Sequence, residues 1–325
     1  MEARARGRQA GRRELSWKPE RALELVAGTP PGGGLDRSAR ALAKAIEANR
    51  LVDVPVTVVN VGGDGGRKAW AHIDRHPGDP HVVGISSPNM TADFLMGVAK
   101  SDPARFTPLA ILYTEYIAFV VRTPDAMRTG ADLLDRLGRD PRAVTIALST
   151  SRGNSNHVAV AKVVRHARAD PNAPTIRVFD TALDAVADVV AGHADVGAVT
   201  AASPVPEIAA GRLRSIGISS PGRLPGVYAQ APTWGEQVWG GRPVDCVVGS
   251  WRGVSGPAGL DPLQVAFWQG LLSAATATAE WRSELARHFW TEMLLAGATL
   301  RDYLGRERGE MRAVLDGLGL LSGSQ

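Results

Sequence analysis

The chain has 325 residues, enough for two domains or one large two-lobed one. Hydrophobic residues make up 44% and charged residues 22%, and 36 glycines with 21 prolines are too few for a low-complexity chain, so disordered and collagen-like architectures are excluded. The net charge of +4 lies wholly in the first 13 residues, where Arg4, Arg6, Arg8, Arg12 and Arg13 stand against Glu2. The rest carries no excess to neutralise a phosphate backbone, and no nucleic-acid partner is expected.

Cys246 is the single cysteine, which excludes an intrachain disulfide framework and a cysteine-cluster metal site. Its apolar surroundings, Val244 to Val248, predict a buried, inert thiol. No run reaches the roughly 18–20 apolar residues that span a bilayer, so no direct membrane insertion is expected. Arg or Glu interrupts the start every few residues up to Glu14, leaving no apolar stretch of a secretory signal; with Met1 as the true start the expectation is a cytoplasmic protein.

Residues 1–16 are rich in Arg, Ala and Gly without periodicity and read as a flexible tail, with order beginning near Trp17. Leu23 to Ala27 predicts a strand, Gly28 to Asp36 a glycine- and proline-rich loop, and Ala39, Leu42, Ala43 and Ile46 a helix face. The pattern repeats: strand Val54 to Asn60, a second glycine loop Val61 to Gly66, helix Arg67 to Arg75. His81 to Ile85 is a third strand, ending in Ser86-Ser87-Pro88-Asn89. Leu109 to Val121 is apolar enough for two buried strands or one long crossing strand. Alternation then resumes with a helix from about Gly130, strand Val144 to Leu148, polar loop Ser149 to Asn156, and a helix containing His157. Strand Thr175 to Phe179, helix Leu183 to Val190 and strand Val196 to Val199 follow. Beyond Leu213 to Ser219 come a Pro/Gly-rich excursion, Pro221 to Pro243, and a strand-like run, Val244 to Val254. Asp261 to Leu318 reads as mostly helical, with a short strand near Glu292 to Leu295. Strands alternating with helices predict a parallel α/β architecture.

Glycine loops between strand and helix let backbone N–H groups face an anion at the positive end of a helix dipole. Two in the first 66 residues point to a carboxylate or phosphate site, although glycines also simply permit tight turns. Neither is a nucleotide fingerprint: Pro30-Pro31 disrupts the dinucleotide turn, and Lys68 precedes Ala69 where the phosphate loop needs Ser or Thr. Asp36, where loop becomes helix, suits capping first and ligand contact second. His72 and His76 lack the catalytic Glu of a zinc-protease helix, and no Gly-x-Ser-x-Gly elbow exists, so neither metal nor cofactor is expected. Ser149-Thr150-Ser151-Arg152-Gly153-Asn154 is a third donor-rich loop, suited to a carboxylate that is held without being transformed. Trp268, Trp281 and Trp290 are expected in the core, whereas Trp251 lies on a strand that should return between lobes.

Taken in order, these loops resemble the tripartite tricarboxylate transporter substrate-binding proteins, the Bug family of periplasmic solute receptors. The resemblance covers about residues 17–320. It rests on Pro31-Gly32-Gly33-Gly34-Leu35-Asp36 with Ala39-Arg40, on Val58-Val59-Asn60 with Gly62-Gly63 and Gly65-Gly66, and on Asp102 through Phe106-Thr107-Pro108-Leu109. The Ser149 to His157 loop, Gly192-His193-Ala194-Asp195-Val196, Ala231-Pro232-Thr233 with Glu236, and Ser250-Trp251-Arg252-Gly253-Val254 with Gly256-Pro257 continue it.

The resemblance implies a type II periplasmic-binding fold, two α/β lobes joined by crossing strands, with lobe 1 at residues 17–122 plus 249–325 and lobe 2 at 123–248. It implies no enzymatic activity, a small carboxylate ligand held in the cleft, subunits of the tripartite membrane transporter as partners, and a periplasmic address. Thr29, Gly32, Gly33, Gly63, Asp64, Gly65 and Ser87 would hold the ligand from one side, and Thr150, Asn154 and His157 from the other. Many relatives carry Tyr-Lys-Gly-Gly where this chain has Phe179-Asp180-Thr181-Ala182, which puts Asp180 and Thr181 among the candidates for a ligand amine or hydroxyl. Arg152 fills a usually apolar position and would either pair with a distal carboxylate or face solvent. The alternative on this scaffold is an intracellular metabolite sensor, or a recruited enzyme using Asp180 or His157 as acid or base.

Overall fold

The computed structural model describes residues 16–322, so the Arg-rich tail expected at the N-terminus lies, but for Ser16, outside the described residues. The chain opens with strand β1 (Leu23–Ala27), helix α1 (Gly34–Ala48), β2 (Val56–Asn60), α2 (Arg67–Ile73), β3 (Val82–Ser86) and α3 (Asn89–Leu95). Next comes the 16-residue strand β4 (Thr107–Arg122), then α4 (Gly130–Arg139), β5 (Thr145–Ser149), α5 (Ser155–His166), β6 (Thr175–Phe179), α6 (Ala182–Val190) and β7 (Val196–Thr200). Helix α7 (Val205–Ala209), β8 (Leu213–Ile218), the small hairpin β9 (Val238–Trp239) and β10 (Arg242–Pro243), and β11 (Gly249–Gly256) lead to the end of the chain. There lie α8 (Pro262–Thr276), α9 (Ala279–His288), β12 (Thr291–Ala296) and α10 (Gly297–Asp316).

The main sheet runs β2-β1-β3-β11-β4-β7-β5-β6, with β12 and β8 also pairing with β4. Strands β1, β2 and β3 are mutually parallel, as are β5, β6 and β7, which matches their helical crossovers. Strand β4 settles the question its apolar run left open. Residues 107–116 pair antiparallel with β11, residues 110–114 also pair with β12, and residues 117–122 pair with β7 and β8, so one crossing strand belongs to both halves of the sheet. Covered on both faces, Leu109 to Tyr113 and Ile117 to Val121 are buried without alternation. This is the two-lobed α/β architecture expected from the sequence.

One core packs α1, α8 and α9 against the first half of the sheet through Leu25, Leu42, Ile46, Trp268, Trp281 and Trp290, the last stacked on Tyr113 at 4.0 Å. The other gathers Leu133, Val160, Phe119 and Trp234 on the second half, and continues into Leu95 of α3 and Met311 and Leu315 of α10. Helix starts follow local chemistry: Thr129 and Asp132 form a reciprocal cap on α4, Asn154 caps α5 and Thr181 caps α6.

The run Val244 to Val254 is not one strand. Its ladder starts at Gly249, because the preceding N–H groups are taken by loops, Val244 N–H by Gln237 O at 3.0 Å and Val248 N–H by Ser219 O at 3.0 Å. Cys246 is buried there as expected, its Sγ 3.5 Å from Ala159 O, and burial pushes the thiol far above its ordinary pKa.

Candidate functional site

The carboxyl ends of β1, β3, β5, β6 and β7 converge on a cleft, with the N-termini of α1, α5 and α6 around it. Backbone N–H groups at such helix starts favour an anion. The cleft is small, about 60 Å³, which suits a compact charged group.

The first glycine loop is held by Asp36. Its carboxylate accepts from Gly32 N–H at 2.8 Å, Asn60 Nδ2 at 2.9 Å and Arg40 Nε at 3.0 Å, while Thr29 Oγ1 accepts the Asp36 N–H at 3.1 Å. Burial alone would raise the Asp36 pKa, but Arg40, Asn60 and Gly32 outweigh it and hold the group below its usual value. The two glycine loops meet backbone to backbone, since a Cβ on Gly28 would sit 3.1 Å from the Gly66 Cα. Gly65, at φ +65°, then presents its backbone to the cleft in a conformation other residues rarely adopt.

Across the cleft, Asn154 Nδ2 donates to Ser149 O at 2.7 Å and Asn156 Nδ2 to Ser149 Oγ at 2.9 Å. Thr150 is held at φ +75°, a strained value for a β-branched residue, with its N–H bonded to Phe179 O at 2.7 Å. The halves of the sheet meet here: Arg37 Nη2 lies 3.4 Å from Ser203 Oγ.

Two arginines complete the wall. Arg37 also donates from Nη1 to Gly32 O at 2.9 Å, and Arg252 donates to Glu115 and, from Nη1, to Ser250 Oγ at 2.7 Å. In each the Nε is buried and has no hydrogen-bond partner in the protein. A buried donor left open beside a cleft of helix N-termini is suited to an oxyanion.

Of the residues singled out in the sequence, Thr29, Gly33, Gly65, Ser87, Thr150, Asn154, Asp180 and Thr181 line this cleft. Gly32, Asp36, Gly63, Asp64, Arg152 and His157 do not. Asp36 lies in the first turn of α1, whose N-cap is Gly33, and spends its carboxylate on Gly32 N–H, Arg40 and Asn60, so it braces the loop and neither caps the helix nor lines the cleft. Asp64 is exposed beside Lys68 at 3.8 Å, and a Cβ on Gly63 would meet only the Lys68 side chain. Arg152 faces solvent because the adjoining Gly153 backs onto Met96 and Leu315. His157 is 1% exposed, and its Nδ1 accepts the Gly153 N–H at 3.0 Å, so the ring braces the turn. Burial, then the Arg152 charge, lowers its pKa to about 4, which keeps it neutral near pH 7.

Sequence reasoning missed Arg37, Asn89, Ser155, Asn156, Thr200, Ser250 and Arg252, all on the cleft wall. The Ser149 to Asn156 loop and the Ser250 to Val254 motif contained four of them. Arg37 directly follows the run Pro31 to Asp36, but nothing in its spacing shows which way it turns.

No family model matches the chain. A curated relative, the UPF0065 protein in the tcbD-tcbE intergenic region of Pseudomonas sp. (strain P51), is 29% identical over 244 residues, 74% of this chain and 69% of the relative. The periplasmic binding protein BugD superposes with a TM-score of 0.80 at 18% identity, covering 93% of this chain and 99% of that one. A TctC solute-binding protein from Polaromonas gives 0.66 at 22% identity, over 92% and 99%. The chain has the fold of the TctC/Bug solute-binding proteins. UPF0065 is the Bug family, so sequence and fold both bear out the resemblance read from the loops. Another protein of this Bug/TctC fold, MatC from Rhodopseudomonas palustris, was solved with bound malate and gives a TM-score of 0.75 at 20% identity, over 91% and 99%. No helix among the described residues is long and apolar enough to cross a membrane.

Proposed function

We propose that the chain is a non-catalytic binding protein that captures a small carboxylate between two lobes and delivers it to a tripartite tricarboxylate transporter in the periplasm. Lobe 1 comprises residues 17–122 and 249–325, and lobe 2 residues 123–248. The observation that carries this reading is the pair of open, buried Nε–H groups on Arg37 and Arg252 at a cleft ringed by helix N-termini. Thr29, Gly33, Gly65 and Ser87 contribute from lobe 1, and Thr150, Asn154 and Thr181 from lobe 2, with Asp180 at the rim for a ligand donor. Carboxylate ligands in proteins of the same fold, malate in MatC and adipate in a second R. palustris protein, support the ligand class. Three or four charge-assisted hydrogen bonds at roughly 1.5–3 kcal/mol each reach micromolar affinity, about −8 kcal/mol, before the cost of closure. Contacts to both lobes favour the closed state, so binding is coupled to hinge closure.

The test is a thermal-shift screen against organic acids. A ligand at about 100 times its dissociation constant adds about 2.7 kcal/mol of stability. A broad acid panel that leaves the melting temperature unmoved would sink the reading.

A further inference from the structure

Beside the cleft lies a second cavity of about 200 Å³. Leu35, Gly65, Ser87 and Asn89 line both, so the two adjoin. The cleft itself is the smaller, about 60 Å³, and fits an anionic group better than a ligand body. Leu35, Trp70, Met90 and Phe106 give the chamber an apolar lining, with the Trp70 and Phe106 rings 4.9 Å apart and tilted by 58°. An apolar cavity of roughly 150 Å³ accepts benzene, so this one has space for an aromatic ring with a substituent.

Asp93 also lines the chamber, 2% exposed. Its Oδ2 accepts from Arg67 Nη1 at 3.1 Å, whereas its Oδ1 is buried and receives no hydrogen bond from the protein. An acceptor in that state is costly unless a donor reaches it. The Arg67 charge is already matched by Asp93, and Lys100, which also lines the chamber, is exposed and screened by solvent. A second carboxylate in the chamber would therefore meet the aspartate without a free buried cation to balance it.

We infer that the ligand is a monocarboxylate with an aromatic body bearing a hydroxyl or amino group, whose N–H or O–H donates to Asp93 Oδ1 while the ring fills the chamber. This rests on the cleft being the carboxylate site. It narrows the ligand away from di- and tricarboxylates.

Calorimetric titration of the full chain with benzoate, 3- and 4-hydroxybenzoate, 4-methoxybenzoate, malate and adipate tests it. At least one hydroxybenzoate is expected to bind about tenfold tighter than both benzoate and 4-methoxybenzoate, as one hydrogen bond to a buried charge would give. Asp93→Ala should collapse that ratio. Should that variant fold poorly, Ala71→Phe, at an exposed position of α2 on the chamber wall, should weaken the hydroxybenzoates more than malate. Tight malate or adipate binding with hydroxybenzoates no better than benzoate overturns the inference and leaves the carboxylate cleft standing. A preference that survives Asp93→Ala overturns it too. Failure of every acid to bind removes the cleft reading and this inference together.

Discussion

Arg252 on β11 donates to Glu115 on the neighbouring crossing strand β4, in an ion pair whose side chains are 10% and 2% exposed. Arg252 lines the cleft, its Nη atoms are held by Glu115 and Ser250, and its buried Nε has no hydrogen-bond partner in the protein. Arg252→Ala strands a buried carboxylate, a change that typically costs about 3–5 kcal/mol. Urea denaturation should show that loss, and Glu115→Gln, which keeps a hydrogen-bond acceptor, should lose less. Equal stability for Arg252→Ala and the parent chain would mean that the pair is dispensable.

Arg37 and Arg152 should separate in binding assays. Arg37→Ala removes an open donor from the cleft wall and is expected to cost about 1.5–3 kcal/mol of carboxylate affinity. Arg152→Ala, at an exposed position off the cleft, should change affinity by less than about 0.5 kcal/mol. Calorimetry on the two variants with one common ligand decides, and the reverse order would move the site.

His157 makes stability depend on acid. Its pKa falls from 6.5 to about 4 in the fold, so protonation favours the unfolded chain. The contribution is complete above about pH 6.5 and is lost as pH drops towards 4, by about 3 kcal/mol over that span. Urea midpoints at pH 7 and pH 4.5 should converge in His157→Asn relative to the parent chain.

Glu307 works in the opposite direction. It accepts from Trp251 Nε1 at 2.6 Å, and burial, aided by Glu310, raises its pKa from 4.5 to about 7. Protonation therefore favours the fold, and stability declines as pH rises from 4.5 through 7. Glu307→Gln should stabilise the protein at pH 8, by of order 2 kcal/mol, and do little at pH 4.5. A melting temperature unchanged at pH 8 would show that the carboxylate is solvated after all.

Much of this molecule is written locally. The five-residue strands at Leu23 and Thr175 begin and end where their sequences predict, because apolar runs stop at glycine, proline or a capping hydroxyl within a residue or two. The glycine loops and the Ser149 to Asn156 loop were legible for the same reason: positive φ and N-caps are properties of a few neighbouring residues. The sequence by itself thus determined the α/β alternation and the loops that face the cleft, whereas the apolar run Leu109 to Val121 became one crossing strand only through its pairing with strands of both halves of the sheet. Only the tertiary structure decided which donors stay open. Asp36 and His157 are consumed by Gly32 and Gly153, while Arg37 and Arg252 keep a free Nε–H. Those outcomes depend on partners far apart in the chain, Ser203 for Arg37 and Glu115 for Arg252, and no local pattern encodes a hydrogen bond made across 137 residues.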